Sequence, residues 1–166
     1  MTKKIFIVLF SIAFITIFHV GSYAAEFPGP DTSSDGLELR NFSVKRPQSP
    51  KVGDTVTVTY SLKNVTNHSI QLDLRYGIFV GARWNSTTDA NNRDFGYLHK
   101  GETLSPNQQV SLKASKKLNA AGTWRFWPAY MVNGKWGPFR WHEIVVEVVA
   151  AGTSGGPPTK PPTTGR

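Results

Sequence analysis

The sequence predicts an all-β protein, an antiparallel β-sandwich of about seven to nine short strands held without a disulfide. Three observations carry that expectation. Short runs alternating apolar and polar residues recur roughly every ten residues, with polar turns between them. No segment beyond Ala24 sustains a helical period. None of the 166 residues is cysteine, so the core cannot be stapled, and thiolate metal sites and cysteine nucleophiles are excluded.

The elements follow in order. Lys3 and Lys4 precede an apolar run from Ile5 to Val20, and Ser22-Tyr23-Ala24 follows. A basic start, a short apolar stretch and small residues ahead of the cut describe a secretory signal peptide, 1–24, removed after Ala24 or Ala25. The remainder is then secreted or held at the cell surface, with no membrane span of its own. Removing the leader takes two of the 19 Lys and Arg and none of the 11 Asp and Glu, leaving a formal charge of +6. The basic residues spread from Arg40 to Arg140 instead of clustering. That suits an anionic extracellular partner or simply a solvated surface, and no nucleic acid is expected as a partner.

Residues 25–36 are rich in Pro, Gly and Ser and read as an N-terminal spacer. Residues 151–166 run from Gly/Ser into Pro/Thr and read as a disordered linker or tail. The folded domain is expected over 37–150. Leu37 and Leu39 alternate and, after a break in register, Phe42 and Val44 continue the same face. Val52-Gly53-Asp54 reads as a turn, and Thr55 to Leu62 as a half-buried strand with Val56, Val58, Tyr60 and Leu62 inward. Ile70–Leu74 and Tyr76–Val80 are further strands, the second buried on both faces. Trp84 to Asp94 is a long polar loop that could close over one end of the sandwich. Phe95–Leu98 and Gln109–Leu112 complete this set.

The last element is the most aromatic. Gly122 to Val149 holds Trp124, Trp127, Trp136 and Trp141, folded about Asn133-Gly134. Both of those residues tolerate positive φ, so the dipeptide predicts a two-residue hairpin. The implied register sets Val132 opposite Lys135, Met131 opposite Trp136 and Trp127 opposite Arg140. One face of the first arm shows Trp124, Phe126, Pro128 and Tyr130; the other shows Arg125, Trp127, Ala129 and Met131. Trp124 and Phe126 are expected in the core with Ile144, Val146 and Val148. Trp127, Trp136 and Trp141 are expected at the rim or outside, with a bulge near Pro138.

Two passages carry a resemblance. Lys51-Val-Gly-Asp54 leads into the alternating strand Thr55 to Leu62 and then Lys63-Asn64, and Ala121-Gly122-Thr123-Trp124 leads into a late strand. Both are similar to the corresponding passages of bacterial and archaeal extracellular immunoglobulin-like modules of the adhesion-associated type. The resemblance covers about Leu37 to Val149 and implies an immunoglobulin-like sandwich used for spacing or binding. It carries over no catalytic residue. In immunoglobulin-like domains a corner tyrosine stands where this chain has Trp124.

Function is therefore expected to be non-enzymatic: an extracellular module for binding, adhesion or spacing, monomeric, needing no cofactor and no metal. The alternative is a carbohydrate-binding module, either on its own or accessory to a secreted hydrolase, using an aromatic platform. Its candidate residues are Trp127, Tyr130, Trp136, Trp141, Arg140 and Trp84, because indole faces stack on pyranose C–H surfaces while nearby polar groups bond hydroxyls. The same rings could instead pack against loops. The expected partner is an extracellular polysaccharide or surface protein. Asp89, Asn91, Asn92 and Asp94 offer oxygen ligands without an EF-hand spacing, and His68, His99 and His142 lack metal-ligand spacing. Four N-glycosylation sequons start at Asn41, Asn64, Asn67 and Asn85, with Asn64 and Asn67 the favoured acceptors.

Overall fold

The computed structural model describes residues 22–27 and 29–152. The expectations placed on residues 1–21 of the signal peptide and 153–166 of the tail lie outside the described residues. Among the described residues twelve strands are formed, all pairing antiparallel within their sheets: β1 (Ser22–Phe27), β2 (Asp31–Thr32), β3 (Leu37–Pro47), β4 (Thr55–Asn64), β5 (Ile70–Gln71) and β6 (Ile78–Trp84), then β7 (Phe95–Leu98), β8 (Thr103–Leu104), β9 (Gln109–Lys117), β10 (Gly122–Val132), β11 (Lys135–Pro138) and β12 (Ile144–Val148). Nine of these run four residues or more, and β2, β5 and β8 have two residues each. The first sheet has the order β1-β3-β4-β9, with β2 also on β3. The second has the order β11-β10-β6-β7, with β12 also on β10. Among the described residues no helix is long and apolar enough to cross a membrane.

The alternating sequences of β3, β4 and β9 place Leu37, Leu39, Val56, Val58, Leu62, Val110 and Leu112 on one inner face. Ile78, Val80, Ala82, Trp124, Phe126 and Val146 come from the other sheet, and all share one buried cluster. Two sheets around one apolar layer make this an antiparallel β-sandwich. The register break in β3 is a bulge: Arg40 pairs Ser61 and Ser43 pairs Thr59, so two residues oppose Tyr60. Asn41 takes up the kink at φ 53°, which lets Phe42 and Val44 return to the core side. Tyr60 spans the core. Its hydroxyl donates to Phe79 O at 2.7 Å and Ala129 O at 2.9 Å, tying β4 to paired residues of the opposite sheet. Burial pushes its ionisation far above the ordinary tyrosine range.

Several boundaries differ from the sequence expectation. The folded part does not wait for Leu37. β1 pairs with β3 from Ser22↔Pro47 to Phe27↔Phe42, and β2 adds Asp31↔Leu39. Residues 25–36 thus contribute strand as well as turn, and Ser22–Ala24, assigned to the leader, lie in the paired part of β1. Ile70–Leu74 shrinks to Ile70–Gln71, because Asp73 breaks the run by accepting the N–H groups of Arg75 and Tyr76 with its carboxylate. The run at Tyr76 starts later, at Ile78, and reaches Trp84, with Ile78 to Arg83 buried. Asn64 is fully buried: its amide donates to His68 O and Leu104 O, and its carbonyl accepts from Thr66 N and Oγ1. That sequon asparagine is a loop tie and offers no amide for glycosylation, whereas Asn67 is exposed.

β10 is central, pairing β6 along one edge and both β12 and β11 along the other. Pro128 is tolerated there because its carbonyl accepts from Phe139 N. N–H and C=O of a strand residue point the same way, so its missing donor faces the gap between β11 and β12. The hairpin pairs Val132↔Lys135 and Met131↔Trp136 and stops at Ala129↔Pro138. Arg140 does not pair with Trp127; the chain turns into a short 3-10 helix, Arg140–His142, instead. At the start of β10 the indole N–H of Trp124 donates to Ala120 O at 3.0 Å, closing a corner over the preceding turn.

Candidate functional site

The outer face of the second sheet is where the aromatic residues depart from ordinary strand alternation. Trp127 and Ala129 of β10 and Phe79 of β6 are buried there, with Tyr76 and Tyr97 packed against them. Glycine makes this possible. A Cβ on Gly81 would lie 2.2 Å from Trp127 Nε1, so the indole rests directly across β6. On the opposite face a Cβ on Gly137 would lie 1.9 Å from the Tyr130 ring. These two rings of β10, Trp127 and Tyr130, thus each lie over a glycine of a neighbouring strand.

Beside Trp127 the face sinks into a cavity of about 380 Å³ lined by Phe79, Arg83, Asp89, Asp94, Trp136 and Arg140, among others. Arg83 is almost fully buried, and its guanidinium is held by two carboxylates. Nη1 donates to Asp94 Oδ1 at 2.7 Å, and Nη2 donates to Asp89. Asp94 also accepts Ala82 N–H at 2.7 Å, which locks the long loop against β6. The hydrogen bond and charge of Arg83, helped by the charge of Arg140, hold the Asp89 carboxyl below the usual aspartate range. Two guanidiniums flank Trp127: Arg83 Cζ is 5.1 Å and Arg140 Cζ 4.9 Å from its ring centre. Such stacking is favourable, and more so where water is excluded. Arg140 also donates to Thr87 O, joining the 3-10 helix to the loop above the cavity.

Two donors at this site lack partners among the described residues. Arg83 Nε is buried with no acceptor, as is Arg46 Nε on the first sheet, remote from the cavity. Trp127 Nε1 has none either, whereas the indoles of Trp84, Trp124 and Trp141 each find one. A buried unpaired donor is costly, whereas Trp127 Nε1, at the floor of the cavity, is open to a ligand acceptor.

The six sequence candidates separate. Trp127, Trp136 and Arg140 meet at the cavity. Trp127 is 2% exposed and forms its floor, while Trp136 is 49% exposed and stands edge-on to Phe79, ring centres 4.9 Å apart. Tyr130 belongs to the core; its hydroxyl donates to Asp35 Oδ2 at 2.7 Å, and burial raises its ionisation. Trp84 lies on the inner rim and donates to Ala121 O. Trp141 is 63% exposed but packs on Phe139 and His142 and donates to Asp31, away from the cavity. A coplanar strip of three indoles is therefore not formed.

Sequence reading missed Arg83, Phe79, Tyr76 and Tyr97. The signal for Arg83 was a charge at an outward position inside an apolar run, IFVGARW. Tyr97 stacks on Phe79 at 5.1 Å, and Tyr76 lies 5.5 Å from Trp136, so the rings form a continuous strip from β7 to β11. Asp89 and Asp94, weighed as cation ligands, are engaged by Arg83; among the described residues no group of three acidic or histidine side chains could hold a metal ion.

No family model matches the chain, and no curated protein does. Solved structures do resemble it. The C-terminal domain of Wzt superposes with a TM-score of 0.51 at 9% identity, over 75% of this chain and 80% of that one. A Pseudomonas fluorescens alkylpurine DNA glycosylase, AlkC, bound to DNA containing an abasic site analogue, gives a TM-score of 0.49 at 15% identity. That match covers 69% of this chain and 31% of the glycosylase. At such identities the likeness concerns the fold alone.

Proposed function

We propose that this chain is a secreted, non-enzymatic, immunoglobulin-like binding module that docks an extracellular polysaccharide on the outer face of its second sheet. The observation that carries the reading is the cavity beside Trp136, floored by Trp127, whose indole N–H has no acceptor among the described residues, and walled by Arg140. A sugar ring offers what these groups want: an apolar C–H face for the exposed indole and hydroxyl oxygens for the N–H groups of Trp127 and Arg140. The hydroxyls of Tyr76 and Tyr97 are further polar edges along the same strip. Hydrolysis is disfavoured, since Arg83 engages both carboxylates lining the cavity and leaves neither free to protonate a leaving group.

Pull-down with a panel of insoluble polysaccharides, together with a glycan array, tests the reading. The wild-type chain should be retained by at least one polymer. Trp136→Ala should weaken that retention roughly threefold to tenfold, the range expected for one aromatic stacking contact. Retention by no polymer, or equal retention of the variant, overturns the proposal.

A further inference from the structure

The charge layout of this face narrows the ligand class. Asp89 and Asp94 are both engaged by Arg83, Glu143 by Arg125, and Glu102 by His99. Asp73 caps two backbone N–H groups. The carboxylates at the cavity and along the ring strip are thus occupied, while Glu147, farther along β12, accepts only from Thr123 Oγ1. The exposed cations of the face are not so engaged: among the described residues Arg140, Arg75 and Lys100 form no ion pair within 4.0 Å. Asp89 feels the charge of Arg140 but makes no ion pair with it. These cations lie along the ring strip. Arg140 is over Trp127, Arg75 Cζ is 5.3 Å from the Tyr76 ring, and Lys100 Nζ is 5.6 Å from the Tyr97 ring. Aromatic rings interleaved with unpaired cations suit a chain of sugar rings that carries negative charge at intervals.

The other sheet offers a contrasting basic surface. Its outer face carries Lys45, Lys63, Lys113 and Lys117, but its hydroxyls are satisfied across strands, Ser43 with Thr59, Thr57 with Ser115 and Ser61 with Ser111. The two pockets that open there, about 300 and 280 Å³, are lined mainly by Asn41, Ser43, Thr59, Ser61, Ser111 and Lys113, and the rings they touch, Phe27, Phe42 and Tyr60, belong to the core or are packed against it. That face has the charge without the rings.

We infer that the polymer recognised by the second sheet is an acidic polysaccharide, its sugar rings on Trp136, Tyr76 and Tyr97 and its carboxylates beside Arg140, Arg75 and Lys100. This rests on the polysaccharide reading above and adds the charge of the ligand to it.

Methyl esterification tests the inference, because it removes the carboxylate charge while keeping the sugar backbone. Binding is measured for polygalacturonate, alginate and hyaluronan, each beside its methyl ester, and for the neutral polymers xylan, mannan and β-glucan. At least one acidic polymer should bind ten times or more tighter than its ester, with affinity falling as salt rises. The double variant Arg140→Gln/Lys100→Gln should cut that ratio to below threefold, while Trp136→Ala weakens acid and ester alike. Lys45→Gln/Lys113→Gln, on the first sheet, should leave the ratio unchanged. An ester bound as tightly as its acid, a neutral polymer bound in preference, or an equal effect of the two double variants overturns the acidic assignment. Each of those outcomes leaves polysaccharide binding itself standing. Binding to none of these polymers, or to others through residues other than Trp136, removes both.

Discussion

Single residues decide what the outer face can be. Trp127 is a β-strand residue pointing to the side that usually meets water, and it is buried because Gly81 leaves β6 without a side chain beneath it. Gly81 has no unusual backbone angle, so its requirement is one of space alone. Gly81→Ala places a methyl where Trp127 Nε1 now sits, and the ring is hemmed by Arg83 and Arg140. The variant is expected to lose about 1–3 kcal/mol by overpacking and to lose polysaccharide retention as Trp127 and the two arginines shift. Urea denaturation and the pull-down read both effects. A variant as stable as the wild type, with binding intact, would show that Trp127 does not organise the cavity.

At the scale of elements, an N-terminal strap holds the two sheets together at one edge. β1 and β2 pair with the first sheet, while Phe27 stacks on His142 with ring centres 3.6 Å apart. Asp31 accepts from Trp141 Nε1 and lies 2.8 Å from His142 Nε2, and Asp35 accepts from Tyr130. The hydrogen bond from Trp141, then that to His142, lowers the Asp31 pKa below its usual value. A carboxyl whose folded pKa lies below its unfolded value of about 3.9 adds stability that is fully present above that value. That stability is lost as pH falls through the lower folded pKa. Asp31→Asn should therefore flatten the acid limb of a stability–pH curve below about pH 4.5 and leave the shape near neutrality unchanged; an identical acid limb would rule the strap out as an acid-labile tie. This strap was illegible in the sequence, because Pro28, Pro30 and Gly36 masked two short edge strands whose partners are named only by the sheet they meet. The strands of β3, β4 and β10 were legible, since their period-two alternation is itself the record of one buried face. The cavity was half legible. Its aromatic content and Arg140 stood out, but Arg83 reaches it through β6–β10 pairing and Tyr97 joins the ring strip beside it through β6–β7 pairing, and no local pattern announces either.

For the molecule as a whole, the inner layer supplies stability and the outer face of one sheet is left to bind. Tyr60 and the shared core join the sheets at the centre, and the N-terminal strap joins them at one edge. The two supports are separable by truncation. Removing residues through Ala25 deletes Ser22, Tyr23 and Ala24, all exposed, together with half-buried Ala25, and spares every contact of Phe27, Asp31 and Asp35. Its Tm should stay close to that of the longer chain. Removing residues through Gly36 deletes β1 and β2, takes away the ring on His142, and leaves β3 as an open edge beside Phe42 and Val44. Full burial of a phenylalanine is worth roughly 1.5–3 kcal/mol, and Phe27 is partly buried, so its loss with the Asp31 and Asp35 bonds should lower Tm by about 5 °C or more. The exposed β3 edge should also promote self-association. Calorimetry with size-exclusion chromatography distinguishes the cases. Equal Tm values and equal monomer content for the two truncations would mean that the strap is ornament on a sandwich complete from Leu37 onward, and the core alone would then have to account for the whole stability of this cysteine-free domain.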